Sequence, residues 1–452
     1  MAGIFKAYDV RGTYPDQIHE DIAHSIGRAV RTVLDPAEIE RNPTVVVSRD
    51  MRSSGIPLSE ALVEGIRESG LSVHSIGLAT TPTNYFAVGH LKAAGGVQVT
   101  ASHNPARYNG FKLSRHEARP VSGDHGLPLL EKHALAKDVP AAAEKGGYSE
   151  GTVFEEYGRH VLSFLHRPAG ARRLKVAADA ANGMGTLYQP LLEACGIDLI
   201  PLYFELDGTF PNHEANPLKR ENLRDLAAAV KEHGADLGVA FDGDADRAAF
   251  VDERGEPVDN DLTTALIAGE LLADHPGKHV VYDLRSSRAV AEYIRERGGI
   301  PLRERVGHSF IKATMRQHDA LFGGELAGHY YFQDNYFADC SLLAVVEVLN
   351  LLWQTGKPFS EIVRPLHRYA KSEEINFEVE DKQGKMRELA EKYKDAEIDY
   401  LDGVTFSYPS WWANVRPSNT EPYLRLVLEA ATPAELADRQ AELIAMLGKP
   451  AE

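Results

Sequence analysis

Apolar residues along the chain gather in short dense runs, separated by stretches where they recur every three or four positions, and the alternation comes round three times. "TVVVSRD" (44–50) predicts a buried strand. Behind it come a helix with Leu58, Leu62 and Ile66 on one face, the strand "LSVHSIGL" (71–78), and a run through Val97 and Val99 that stops short of Ser102. The second round opens at "LKVAADA" (174–180) and continues through a helical stretch to Glu193 and the strand "IDLIPLYF" (197–204). It closes with the helix "ENLRDLAAAVKEHG" (221–234) and the strand "ADLGVAFD" (235–242). The third consists of "HVVYDL" (279–284), a helix with Val290 and Ile294, the segment "SFIKATMRQH", and the strand "ALFGGE" (320–325). Near-continuous apolar strands alternating with helices imply mainly parallel sheets covered on both faces.

From about residue 370 the pattern changes to strands such as "GVTFSY" (403–408) and "YLRLVLEA" (423–430), then a helix from Pro433 to about Leu447 with the capping box Thr432-Pro-Ala-Glu435. A chain of 452 residues is too long for one core. The expected architecture is three similar α/β domains (1–148, 152–255 and 256–368) and a smaller C-terminal α+β domain (369–452), with 136–151 as linker between the first two. Each α/β unit ends a strand in unusual polar residues: Ser102, the acidic run after Phe241, and Glu325. Ligands bind beyond the carboxyl ends of strands in open α/β sheets, so the domains are expected around a central cleft.

The composition, 43% hydrophobic and 25% charged, is that of an ordinary globular protein. A net charge of −17 argues against a nucleic-acid or anionic-membrane partner, though not against a small anion in a locally basic cleft. Cys195 and Cys340 have no metal-ligand spacing and predict free thiols in a reducing compartment. With no apolar signal core at "MAGIFKAYDVRG" and no span-length window, the expected location is cytoplasmic.

Four stretches carry chemistry. In "VTASHNPARYNGFKL" (99–113), Asn104-Pro105 forbids a helix, leaving Ser102 and His103 on a loop after a strand. Taken alone that pair is an ordinary turn. In "GVAFDGDADRAAFVDE" (238–253), Asp242, Asp244 and Asp246 alternate, putting three carboxylates within reach of one divalent cation. An EF-hand loop would need glycine where Arg247 stands and helices where the flanks read as strands, so an oxygen-ligand Mg²⁺ site beside a substrate-binding Arg247 fits better. "NVRPSNTEPYLRL" (414–426) offers Arg416, Ser418, Asn419, Thr420 and Arg425, a donor density suited to a dianionic phosphate. In "GGELAGHYYF" (323–332), Glu325 can accept from sugar hydroxyls and His329 can act as general acid or base. His308 and Lys312 of "VGHSFIK" are candidates in the same unit, Lys312 as a substrate contact.

"TASHNP", "DGDADR", "GELAGH" and "RPSNTEP", in that order and one per domain, resemble the α-D-phosphohexomutase superfamily. "KAYDVRG" and "FPNHEANPLKRENL" (210–223) look like its bacterial phosphomannomutase/phosphoglucomutase branch, and the likeness spans essentially the whole chain. The resemblance implies reversible phosphoryl transfer between the 1- and 6-hydroxyls of a hexose, with Ser102 carried as phosphoserine and a hexose 1,6-bisphosphate as intermediate and activator. By the same resemblance Ser102 and the three aspartates hold Mg²⁺, His103 and Lys112 serve the transfer, and Tyr8 and Arg11 line the cleft. Glu325 and His329 grip sugar hydroxyls, His308 assists proton transfer, and Arg416, Ser418, Asn419, Thr420 and Arg425 hold the non-reacting phosphate. The expected partners are small hexose phosphates, with oligomeric state left open.

One position departs from the branch: Ala327 stands where a serine is frequent, which leaves mannose and glucose both open. The alternatives are a glucosamine-phosphate mutase, whose version of the loop "GELAGHYYF" does not resemble, an Mg²⁺-dependent sugar phosphatase, and a non-catalytic sugar-phosphate sensor. A serine hydrolase is disfavoured because Ser102 lacks the glycines of a nucleophile elbow.

Overall fold

The computed structural model of the chain describes residues 3–418 and 423–451. Four sheets follow one another along it. In the first, Gly95–Val99, Thr44–Arg49, Ser72–Leu78 and Tyr148–Glu150 run parallel, and Tyr108–Arg115 and Val10–Thr13 extend it antiparallel beyond Gly95–Val99. Val45, Val46 and Val47 are buried, and the helix Gly55–Glu68 buries Leu58, Leu62 and Ile66 as their spacing predicts. One expectation needs amending. Tyr148–Glu150, inside the stretch expected to be linker, is an edge strand whose three residues are all exposed, so backbone pairing alone makes it and no hydrophobic pattern betrays it.

The second and third sheets repeat a single plan. Asp198–Leu202, Lys175–Asp179 and Leu237–Phe241 are parallel, and Ala248–Val251 and Pro257–Val258 continue antiparallel. Likewise Ile300–Glu304, His279–Asp283 and Phe322–Gly324 are parallel, followed by antiparallel Tyr330–Phe332 and Ala338–Asp339. The expected α/β class is therefore right, with an antiparallel flank on each sheet. In all three units a parallel strand turns straight back as a hairpin: Gly95–Val99 into Tyr108–Arg115, Leu237–Phe241 into Ala248–Val251, and Phe322–Gly324 into Tyr330–Phe332. The three hairpin loops are the Ser102, triple-aspartate and Glu325–His329 segments. Each holds a residue in left-handed backbone, Ser102 at φ 51°, Ala245 at 58° and Gly328 at 82°.

The fourth sheet is wholly antiparallel, in the order Ala370–Lys371, Tyr423–Ala430, Trp411–Pro417, Val404–Ser407, Glu397–Asp399, with Ile375–Glu378 also on Tyr423–Ala430. Its helix Pro433–Leu447 is capped as predicted, Thr432 Oγ1 accepting from Glu435 N at 3.2 Å.

Two long helices, Asn260–Asp274 and Ser341–Thr355, were not legible from periodicity because they are apolar nearly all round. Such helices belong inside a core. Ser341 to Leu352 are all buried, in one apolar cluster that joins the second and third domains and takes in Phe86 and Val88 of the first. The fourth domain has a separate core around Phe406, Trp411 and Leu426. Both cysteines are free and buried, and no helix among the described residues is long and apolar enough to cross a membrane.

The helices Glu20–Ala29 and Gly55–Glu68 touch through glycines: a Cβ on Gly65 would lie 2.1 Å from the His24 carbonyl oxygen. Gly65→Ala is therefore expected to destabilise the first domain by about 1–3 kcal/mol. A lowered melting temperature and faster hydrogen exchange in Gly55–Glu68 would register it.

Candidate active site

The loop after Gly95–Val99 is braced from behind by the neighbouring strand end. Thr100 Oγ1 donates to Asp50 at 2.7 Å and accepts from Ser102 N at 2.9 Å. Arg52, 1% exposed, pairs with Asp50 and donates to the carbonyls of Ser102, Asn104, Pro105 and Tyr108 at 2.6–3.0 Å. Phe210, from the "FPNHEANP" stretch, lies 5.0 Å over that guanidinium. Serine in left-handed backbone costs about 1–3 kcal/mol, and the Arg52 clamp supplies the interactions that hold it there. Arg11 reaches the same loop at Asn104 Oδ1, 2.5 Å away.

The triple-aspartate loop meets Ser102 across the domain boundary. Ser102 Oγ donates to Asp242 Oδ2 at 2.8 Å, and His103 Nδ1 is 3.3 Å from the same hydroxyl. A Cβ on Gly243 would sit 2.3 Å from the Ser102 carbonyl oxygen, so only glycine allows this approach. Asp242, Asp244 and Asp246 are buried, each offering an oxygen within 4.8 Å of the others. Like charges so close and so dry repel. Burial, then Asp246 and Asp244, push Asp242 up to about 8. Burial alone would raise Asp246 too, but Lys112 and then His329 hold it well below the usual carboxylate range.

Cations and a helix end offset the rest. Lys112 donates to Asp244 Oδ2 at 2.6 Å and to Asp246; burial works against its charge, but Asp244 and Asp246 win and raise it well above normal. The helix Thr81–His90, capped by Thr80, aims its N-terminus at the same loop. Thr81 Oγ1 donates to Asp244 Oδ2 at 2.6 Å and Thr81 N to the Asp244 carbonyl at 3.1 Å. Asp244 Oδ1 is buried without a hydrogen bond. Three hard oxygen donors, one with an unused buried atom, fit a small hard divalent cation.

The third loop is tied to the second. His329 Nδ1 lies 3.0 Å from Glu325 Oε2 and its Nε2 3.4 Å from Asp246 Oδ1. Burial opposes a charged ring here, but Asp246 and Glu325 outweigh it and Arg247 together, raising His329 to about 9. Arg247 Nε also lies 3.2 Å from His329 Nε2, a contact that only a neutral ring accepts; with two carboxylates on the ring we take the protonated form. Glu325 is 2% exposed, and its oxygens already receive Gly307 N and Tyr331 Oη besides His329. It therefore fixes the loop from within. His308, half-buried beside the Tyr8 ring, is pushed down to about 3 by burial, Lys312 and His329, and its Nδ1 makes no hydrogen bond. Tyr8 Oη donates to the Val306 carbonyl at 2.9 Å.

Lys312 is a correction. It is fully buried, ion-paired with Asp339, with its Nζ 4.0 Å from the Tyr85 ring centroid, so it joins the third domain to the first and does not face a ligand. In the fourth domain Arg416 and Arg425 stand opposite each other on paired strands, and Ser418 N bonds the Tyr423 carbonyl. Asn419 and Thr420 lie outside the described residues.

Comparison with known proteins agrees with this arrangement domain by domain. Family models for phosphoglucomutase/phosphomannomutase match in order: α/β/α domain I at residues 2–137, II at 155–255, III at 259–369 and the C-terminal domain at 374–446. The chain belongs to the phosphoglucomutase/phosphomannomutase family. It is 40% identical over 448 residues to a Xanthomonas campestris protein named for phosphohexose mutases, covering 98% of each chain. It is 37% identical to a phosphomannomutase/phosphoglucomutase of Pseudomonas syringae, covering 99% of this chain and 96% of the relative. A crystal structure of a family protein from Burkholderia thailandensis superposes with a TM-score of 0.90 at 34% identity, covering 98% and 96%.

Several residues of this family member's site were not singled out by motif. Asp50-Met-Arg52-Ser53-Ser54 and Asp283-Leu-Arg285-Ser286-Ser287 repeat one pattern at the end of the first central strand in two domains. In each the aspartate accepts the arginine's backbone N–H, at 3.0 and 2.8 Å, and pairs with its side chain. An internal-repeat search would have found both. Arg285 thereby reaches the fourth domain, while Asp283 Oδ2 also accepts from Leu326 N at 2.8 Å.

Three carboxylates that could hold a divalent cation make Asp244→Asn the informative change: loss of one ligand charge is expected to weaken any divalent-cation affinity of this loop by about tenfold or more. Calorimetric titration of Mg²⁺ into the two proteins would measure it.

Proposed function

We propose that Ser102 is the phosphate carrier of a reversible hexose-phosphate mutase that shifts a phosphoryl group between the 1- and 6-hydroxyls through a bound hexose 1,6-bisphosphate. Family membership across all four domains carries the mutase assignment. The observation that carries the residue assignment is Ser102 Oγ at 2.8 Å from Asp242, inside a buried three-carboxylate loop with Lys112 alongside. Asp242, Asp244 and Asp246, with the phosphate on Ser102, would hold Mg²⁺, which when bound neutralises charge on the transferring group.

Transfer breaks the Oγ–P bond of phosphoserine and forms a bond from phosphorus to a sugar hydroxyl oxygen. The hydroxyl proton leaves to a base and Ser102 Oγ regains one. His308, neutral and with no hydrogen bond at Nδ1, would accept it; a dianionic substrate nearby would raise its basicity. His103, kept neutral by burial and by Arg247 and Arg11, lies 3.3 Å from Oγ and would relay the returning proton, taking one from water at Nε2 as its Nδ1–H passes to Oγ. Lys112 and Arg11 offset charge at the serine, and Arg247 and Tyr8 line the substrate's path. Glu325 orients His329 toward the sugar hydroxyls. Arg416, Ser418, Asn419, Thr420 and Arg425 grip the phosphate that is not reacting. When the bisphosphate has turned, its other phosphoryl group returns to Ser102 by the same step reversed.

The domains are proposed to divide at 1–148, 152–255, 256–368 and 369–452, the first extended to Glu150 so that the edge strand Tyr148–Glu150 stays whole. A cytoplasmic setting, with hexose phosphates as the partners and neither nucleic acid nor membrane, suits two buried free thiols and a net charge of −17.

Ser102→Ala is expected to lower turnover by orders of magnitude with the melting temperature unchanged; retained turnover would remove the phosphoserine role. Phosphorus NMR with Mg²⁺ and a trace of glucose 1,6-bisphosphate tests the reaction on glucose 1-phosphate, mannose 1-phosphate and glucosamine 1-phosphate in turn. A growing 6-phosphate signal with glucose or mannose is the expected result, and the relative rates assign the sugar that Ala327 leaves open. Inorganic phosphate release would make the protein a phosphatase, and silence with all three a sensor.

A further inference from the structure

Arg416 and Arg425 are direct cross-strand partners, an arrangement in which like charges repel. Among the described residues, one carboxylate pairs with both. Glu374, on the segment entering strand Ile375–Glu378, receives Arg416 Nη2 at 2.6 Å and Arg425 Nη1 at 3.2 Å. Arg285 Nη1 approaches the same carboxylate from the third domain at 3.7 Å, its other side held by Asp283 at 2.7 Å. Burial alone would raise Glu374, but Arg285, Arg416 and Arg425 hold it below its usual value, so it is charged. Three guanidinium groups from two domains therefore converge on one anion. The geometry is that of an occupied anion site: Arg416 is almost fully buried, its Nε makes no hydrogen bond, and Glu374, 21% exposed, reaches solvent.

Resting on the assignment of this cluster to the non-reacting phosphate, we propose that Glu374 is a positioning residue that stands in for that phosphate and tunes how tightly it is held. Without substrate, its carboxylate keeps the two opposed arginines and Arg285 assembled as one fork. With substrate, it competes for the same N–H groups and repels the incoming dianion, so the grip is weaker than three bare arginines would give. A mutase needs that weakness. The bisphosphate has two phosphates to present in turn, and a site that held either one too firmly would stall with the intermediate bound. The sequence hides this role, since Glu374 sits in "KSEEINF", outside every phosphate motif.

The test is Glu374→Gln, which keeps shape and removes charge, with inorganic phosphate as the competing probe in the mutase assay. Tightening of phosphate inhibition by about tenfold is expected, the size of one partly exposed charge lost beside a dianion. KM for the sugar phosphate and kcat should fall together as release of the intermediate slows, and Glu374→Asp should return all three toward the parent values. Unchanged or weaker phosphate inhibition in Glu374→Gln would overturn the proposal, leaving Glu374 as scaffold for the arginines. Arg425→Ala in the same assay separates the two levels. If it loosens phosphate while Glu374→Gln fails to tighten it, only the Glu374 proposal falls. If Arg425→Ala leaves phosphate inhibition and KM untouched, the phosphate site itself is misassigned and the proposal falls with it.

Discussion

Three carboxylates buried within 4.8 Å of one another set the terms for the rest of the molecule. No single domain could afford them. Charge in a dry interior must be paired and hydrogen-bonded or it neutralises, and the pairing here comes from three sheets. Lys112 and the start of helix Thr81–His90 come from the first domain, Arg247 from the loop itself, and His329 from the third. The hairpin loops must therefore close on one another to within contact distance, and Gly243 against the Ser102 carbonyl marks how close that is. Domain packing and site chemistry are here the same constraint.

From that centre the contacts run on without a gap. Ser102 touches Asp242, whose other oxygen accepts from Asp246 N; Asp246 meets His329, and His329 meets Glu325. The next residue, Leu326, is bound by Asp283, which holds Arg285, and Arg285 and Arg416 share Glu374. Ser102 and the arginine cluster of the fourth domain are thus joined by an unbroken run of polar contacts. The hairpin plan makes this possible: each loop leaves a parallel strand and returns antiparallel, so its polar side chains are presented at one sheet end with backbone pairing intact on both sides.

Much of this was legible in the sequence, and the parts that were not have physical reasons. Strands such as Thr44–Arg49 declare themselves through a continuous buried apolar run, and the amphipathic helix Gly55–Glu68 through helically spaced burial. Helix Ser341–Thr355 does not, because a helix buried on every side has no period to read. Tyr148–Glu150 does not, because an exposed edge strand buries nothing. In the site, Ser102 and the aspartates stood in recognisable local motifs, and the structure brings them together. Lys312 stood next to one and turned out to be committed to Asp339, since spacing gives proximity to a motif but not direction. Arg52, Arg285 and Glu374 act through partners distant in sequence. Only the repeated Asp-x-Arg-Ser-Ser pattern hinted at two of them.

The fourth domain is attached differently from the other three. Apolar contact joins the second and third domains into one core with part of the first, whereas the fourth keeps a core to itself. Its described links to the third are largely polar: Arg288 to the Tyr408 and Pro409 carbonyls, Arg303 to Asp399, and Arg285 to Glu374. An apolar interface gains energy from area and resists any displacement. Ion pairs and hydrogen bonds fix orientation strongly while contributing little net energy, because water offers each partner nearly equal terms. Rigid apolar packing thus lies behind the loops that bring Ser102 and the three aspartates together, whereas polar, exchangeable contacts attach the domain that carries Arg416 and Arg425.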